Sequence, residues 1–421
     1  MSAVSDDLAK DTGKSAGKIG ISLLIAIGLG YVLTFVCGRL LGPVRYDVFA
    51  SFWAVLMGFG AALSPLEQEL SRQSALASAA GHRVGRSAVR TFVVAAVVIA
   101  VLSLLTFIPQ ATTQLYGGQF WLAVIVLVGG VAFAFQFATR GLLIGHNEVR
   151  RFSGLILGEA GARVLVLGIV VAIGVGTQIL PLALAAAAGS FAWLLYARPT
   201  AKLVDPHLEG EPWPVVVKRT LLLLLAAGLT ASLVTGYPAL VKLLAPKSDA
   251  EQLGAFFAAL MVARVPLLLL SPLQALAVPT VVRLSASEEG HGKLRKLLVL
   301  GAIGSLVVAA IGAVISLFIG PWAVSLLFSA KFAAQGWWVA GLVWSSVMLT
   351  IMQLMAAVLV AQAKADKLVI VWAVTAVSAA LTLVLMPGDT ILRAVVGLIV
   401  GPTLGLAVVT AFVVRKPAPV G

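Results

Sequence analysis

Three ionisable residues sit inside long apolar runs of this 421-residue chain: Glu159 and Arg163, four apart in one run, and Arg264 in another. A charge near the centre of a bilayer costs about 2.5–3.5 kcal/mol on the insertion scale, so each needs a partner or a wet cavity. On a helix, Glu159 and Arg163 share a face. Two readings are open: a mutual pair that merely tolerates burial, or a pair in which Glu159 also couples to a proton or sodium ion. Arg264 has no acid on its own run. It either binds an anion or donates to carbonyls freed by Pro266 and Pro272, prolines that also predict a kinked element. If Glu159 neutralises Arg163, the interior keeps one positive charge, which suits an anionic ligand. Gln136 and Gln353 fall at nearly equivalent places in the two halves, where amides either join helices or touch a polar cargo.

The rest of the chain offers little chemistry. No Asp-x-Asp pair, Gly-rich phosphate loop, Ser/His/Asp set or metal cluster occurs in any expected loop. Asp47, Asp249, Glu251 and Asp389 are isolated acids, unlike the paired carboxylates of acid–base catalysis. His82, His146, His207 and His291 lack ligand spacing, and the single cysteine, Cys37, lies within an apolar run. The expectation is therefore no catalytic residue, no metal and no cofactor.

The elements that must position Glu159, Arg163 and Arg264 follow from composition. At 60% hydrophobic, 11% charged and a mean hydropathy of +1.05, the chain reads as an all-α integral membrane protein. Twelve segments are long and apolar enough to span: 19–38, 48–66, 91–108, 120–138, 153–175, 177–197, 220–241, 254–281, 297–319, 337–359, 368–386 and 391–414. Lys10, Lys14 and Lys18 precede the first, and no small-residue cleavage site follows it, so it reads as an uncleaved span. With the N-terminus in the cytoplasm, only Arg39, Arg45, Lys242, Lys247, Lys331 and Arg393 lie outside. Of the 30 Lys and Arg residues, Arg163 and Arg264 lie within spans and all others fall inside. That asymmetry predicts both termini in the cytoplasm, and it accounts for the net charge of +13 without nucleic acid. Trp322, Trp337 and Trp338 sit near expected span ends as interface anchors. Arg83, Arg86 and Arg90 in the expected 67–90 loop read as topology-setting charge or as a patch for anionic lipid.

An internal duplication divides the spans. Arg39-Leu-Leu-Gly-Pro43 returns as Lys242-Leu-Leu-Ala-Pro246, and Leu63-Ser-Pro-Leu-Glu67 as Leu270-Ser-Pro-Leu-Gln274, in the same order. Six spans per half is an even number, so the repeats are parallel, related by an axis along the membrane normal. The expected organisation is a six-helix lobe over 1–197, a cytoplasmic linker over 198–219 and a second six-helix lobe over 220–421. The linker carries four prolines and mixed charges that no span would hold.

Three stretches carry a family resemblance: Gly38-Arg-Leu-Leu-Gly-Pro43 with Tyr46 and Phe49, Arg140-Gly-Leu-Leu-Ile-Gly-His-Asn-Glu-Val-Arg150, and Gly320-Pro-Trp-Ala-Val-Ser-Leu-Leu-Phe-Ser-Ala-Lys-Phe332. They resemble bacterial polysaccharide flippases of the multidrug/oligosaccharidyl-lipid/polysaccharide exporter superfamily. Asp47 departs from the pattern, standing where the family usually has Gly. The resemblance implies two lobes around a central cavity that opens alternately to either side of the bacterial inner membrane. The cargo it implies is a polyprenyl-diphosphate-linked glycan, moved to the outer leaflet for cell-surface polysaccharide assembly. On this reading Arg264 and Arg163 contact the diphosphate. Arg39 and Lys242 act as gate or release-side cations, or simply snorkel. Gln136 and Gln353 are candidate glycan contacts, and Glu159 is the candidate coupling acid. Membrane lipids, a polysaccharide polymerase and glycosyltransferases are the implied partners. Two alternatives stay open: a drug/cation antiporter of the same fold, which would hold cavity acids, and a membrane-embedded glycosyltransferase or polymerase, which would need a sugar-handling carboxylate.

Overall fold

The connection between the first two spans is a single residue. In the computed structural model, which describes residues 2–205, 207–208, 210–265, 288–361 and 365–414, α1 (Ser2–Ala62) is two helices joined at Gly42, whose φ of 69° and ψ of 171° are non-helical. A side chain at positive φ is strained, so glycine holds this position, and Pro43 then opens the next helix without needing its missing N–H. The second copy of the motif has Ala245 in place of Gly42, and there the chain does not kink. Helix α10 (Tyr237–Leu244) ends, and α11 (Ala250–Ala263) starts after an intervening turn. The Leu270–Gln274 copy, Pro266 and Pro272 lie outside the described residues.

The second span runs beyond the expected 48–66. It continues through Leu63 into α2 (Ser64–Ala79), with Pro65 in the first turn, so much of the expected 67–90 loop is helical. Helices α3 (Arg86–Leu104), α4 (Pro109–Tyr116), α5 (Phe120–Gly145) and α6 (Val149–Ala172) follow. The sixth span is broken: α7 (Ile179–Ala188) tightens into a 3₁₀ segment (Gly189–Tyr196) before the short α8 (Ala197–Ala201). The seventh starts at Trp213 rather than 220, as α9 (Trp213–Val234), and breaks at Gly236 before α10. After α11 come α12 (Glu288–Leu327), α13 (Gly336–Ala361), α14 (Ala365–Leu385) and α15 (Thr390–Val414). Among the described residues, 10 helical stretches are long and apolar enough to span, and the first, Gly17–Ala79, contains two of the expected spans. The fold is all-α, and of the expected 254–281 span only the part within α11 and its end is described.

The chain divides into two units, residues 1–41 with 48–243, and residues 42–47 with 244–421. Of the three crossings between units, those at 41/42 and 243/244 fall in the duplicated pentapeptides and the third is at 47/48. In unit 1, the expected linker is fastened down: Val84 N–H donates to Leu203 O (2.9 Å) and Asp205 N–H to Val84 O (2.8 Å). Arg219 bridges Glu211 (2.5 Å) and Glu69 (3.3 Å), while Arg90 lies over the Trp213 ring at 5.2 Å. A buried cluster of Leu143, Phe152, Leu155, Ile156 and Ala192 holds α5, α6 and the 3₁₀ segment together. Gly141 and Gly145 let α5 approach the backbone of α2 at Glu67 and Ser71, where a β-carbon would clash. In unit 2, Tyr46 lies edge-on to Phe328 (5.2 Å) and Phe332 (5.6 Å), so two of the stretches that carry the family resemblance pack on each other.

Candidate functional site

The site in unit 1 is built from helices that each place polar residues one turn apart. Gln136 and Arg140 on α5, and Glu159 and Arg163 on α6, are both i, i+4 pairs. The four meet around one carboxylate. Arg163 donates to Glu159 Oε1 at 2.6 Å, Arg140 donates to Glu159 Oε2, and Gln136 Nε2 donates to the same oxygen at 3.1 Å. Glu67 of α2 stands 3.9 Å from Arg140, closing a network of two carboxylates and two guanidiniums. Gln136 is fully buried, Glu159 is 9% exposed and Arg163 is 7% exposed.

The surroundings favour guanidinium. The Arg163 guanidinium lies over Trp53 at 5.5 Å and Phe133 at 5.9 Å, and Arg140 lies over Phe137 at 4.9 Å. Each ring face attracts the cation most where water is excluded. Where α7 tightens into the 3₁₀ segment, the Ala186 carbonyl accepts from Arg163 Nε at 3.2 Å. Gly189, the first 3₁₀ residue, leaves room for this side chain: a β-carbon there would stand 2.6 Å from Arg163 Nε. Two polar atoms in the network, Gln136 Oε1 and Arg140 Nε, are buried without a hydrogen-bond partner among the described residues. They are the capacity the network has left for a polar cargo or a water.

The other sequence-derived residues lie elsewhere. Lys242 is 8% exposed in α10, Arg39 is exposed in α1, and Arg264 is 8% exposed at the C-terminal end of α11. Gln353 is partly buried on α13. Sequence reasoning counts Arg140 as a loop cation and passes over Glu67. The signal for Arg140 is available in its spacing from Gln136, which extends the polar face of α5 by one turn. Among the described residues no group of His, Cys, Asp and Glu is arranged to hold a metal ion.

No family model matches the chain. It is 31% identical over 414 residues to the uncharacterized protein Rv1510 of Mycobacterium tuberculosis (strain ATCC 25618 / H37Rv), covering 96% of this chain and 92% of that one. It is 28% identical over 417 residues to Rv3630 of the same strain, covering 94% and 90%. Among solved structures, an inward-facing multidrug resistance MATE family transporter of the MOP superfamily matches with a TM-score of 0.64 and 16% identity, over 94% of this chain and 97% of that one. A MOP superfamily transporter from Pyrococcus furiosus Vc1 (DSM3638), described as having a binding pocket of reverse polarity that suggests a different function, matches with a TM-score of 0.58 and 14% identity, over 96% and 97%.

Proposed function

From a chain that belongs to the same family as Rv1510 and has the fold of MOP superfamily transporters, we propose an alternating-access flippase. Its cargo is a polyprenyl-diphosphate-linked glycan, turned from the cytoplasmic to the outer leaflet of a bacterial inner membrane for cell-surface polysaccharide assembly. Both termini are cytoplasmic, and a polymerase or glycosyltransferases work beside it. The observation that carries this choice of cargo is Glu159 held by two guanidiniums. A cationic drug would have to displace both arginines to reach the carboxylate. An anionic diphosphate instead exchanges one charge-assisted partner for another, which costs far less in a desolvated site.

Each residue then takes a role. Arg163 and Arg264 carry the diphosphate chemistry, Gln136 and Gln353 touch glycan hydroxyls, and Arg39 and Lys242 serve release. Glu159 is the coupling acid: a proton on it weakens its hold on Arg163 and Arg140 and frees them for the anion, and loss of the proton draws them back. The lipid tail stays in the bilayer while the glycan crosses.

The test is an inventory of polyprenyl-linked glycans in cells depleted of the protein, with leaflets assigned by an impermeant sugar-labelling reagent. One lipid-linked glycan accumulates in the cytoplasmic leaflet; wild-type protein clears it, and Arg264→Ala, though inserted at normal levels, does not. Unchanged lipid-linked glycans together with lost efflux of cationic dyes would overturn the reading in favour of a drug/cation antiporter.

A further inference from the structure

A second polar feature of unit 1 lies apart from the Glu159 network. The first apolar turns of α1, the start of α6 and the end of the 3₁₀ segment enclose a cavity of about 1110 Å³. Its lining is cationic and hydroxylic at Lys18, Arg150, Ser153 and Tyr196 and apolar at Ile21, Ile25 and Leu157. We propose that this cavity binds an anionic phospholipid of the cytoplasmic leaflet, its phosphate between Lys18, Arg150 and Ser153 and its acyl chains along Ile21, Ile25 and Leu157.

Four observations converge on it. The third cation of the rim, Arg151, is paired with Glu148 at 2.8 Å, whereas no ion pair holds Lys18 or Arg150 among the described residues. The Ser153 hydroxyl is buried with no hydrogen-bond partner among the described residues, a donor in place for a phosphate oxygen. The Glu148 side chain makes no capping bond at the start of α6, so the N–H groups of that first turn and the positive end of the helix dipole favour an anion there. Ile21 is 61% exposed and Ile25 47% exposed in the same cavity lining as the cations. A soluble anion has no use for that apolar half, and a neutral lipid has no use for the basic half. Lys18 and Arg150 both belong to the loops that the charge asymmetry assigns to the cytoplasm, where anionic lipids are concentrated.

The test is native mass spectrometry of the purified full-length chain in detergent, titrated with phosphatidylglycerol and, separately, with phosphatidylcholine. Phosphatidylglycerol binds more tightly. Lys18→Ala and Arg150→Ala each weaken it about fivefold, and the double variant roughly 25-fold, with phosphatidylcholine binding unchanged. Both side chains are exposed, so these variants retain the wild-type melting temperature. Equal binding of the two lipids, or unchanged phosphatidylglycerol binding in the double variant, would overturn the proposal. Displacement of the lipid by millimolar inorganic phosphate would also overturn it, reassigning the cavity to a soluble anion.

Discussion

In unit 1, side chains from α2, α5 and α6 gather in one charged network about Glu159 and Arg140, whereas α12, α14 and α15 of unit 2 carry their charges only near their N-terminal ends and α13 carries none. Three contacts among the described residues of these helices pair hydroxyl, indole and thioether. Trp344 donates to Thr403 Oγ1 at 3.1 Å, Thr375 to Met352 Sδ at 3.4 Å and Thr410 to Met355 Sδ at 3.3 Å. Both units use the same close-packing device: Gly401 and Gly405 bring α15 against Thr375 of α14, as Gly141 and Gly145 bring α5 against α2. The difference is electrostatic. A protonation or an arriving anion can rearrange the helix contacts of unit 1, while these three contacts of unit 2 join uncharged groups and are insensitive to either.

The sharpest way to break this contrast is to remove the shared carboxylate. Glu159→Ala leaves Arg163 without an acid among the described residues and Arg140 with only Glu67, 3.9 Å away, and should lower unfolding stability by about 3–5 kcal/mol. Reversible unfolding in mixed micelles measures it, and a loss below about 1 kcal/mol would mean that water already screens the network. A smaller effect is expected at the packing that seats Arg163. Gly189→Val drives a side chain into the guanidinium and should cost about 1–3 kcal/mol in the same assay. Pairing it with Arg163→Ala should remove only the part due to the guanidinium, because the Glu159 carbonyl would still stand 2.8 Å from a β-carbon at 189. The smallest effect belongs to unit 2. Thr403→Val removes the acceptor of the Trp344 indole and should cost about 0.6 kcal/mol, the average for a hydrogen bond between membrane helices. A cost as large as that of Glu159→Ala would erase the distinction.

Much of this is legible in the chain. The apolar runs announce the helices because backbone in hydrocarbon must satisfy itself within each segment. The pairing of Glu159 with Arg163 follows from four-residue spacing. The arrival of Arg140 at the same carboxylate, with Glu67 beside Arg140, does not, because that depends on how closely α2, α5 and α6 approach, which Gly141 and Gly145 help set for α2 and α5 through packing rather than pattern. The 3₁₀ segment is equally hidden, since Gly189–Tyr196 is as apolar as the helix it interrupts. The pentapeptides read as repeats; that two of the three passages between units lie in them requires the contacts of Tyr46 and Pro43.

The passage of residues 42–47 into unit 2 has a consequence for synthesis. Tyr46 leaves the ribosome early, yet the rings that bury it, Phe328 and Phe332, follow some 280 residues later. At roughly 5–20 residues per second that is a wait of about 15–60 s. For that interval the kink at Gly42 joins two inserted helices whose connecting residues have no home. A chain truncated before Phe328 would therefore lack the two rings that lie edge-on to Tyr46.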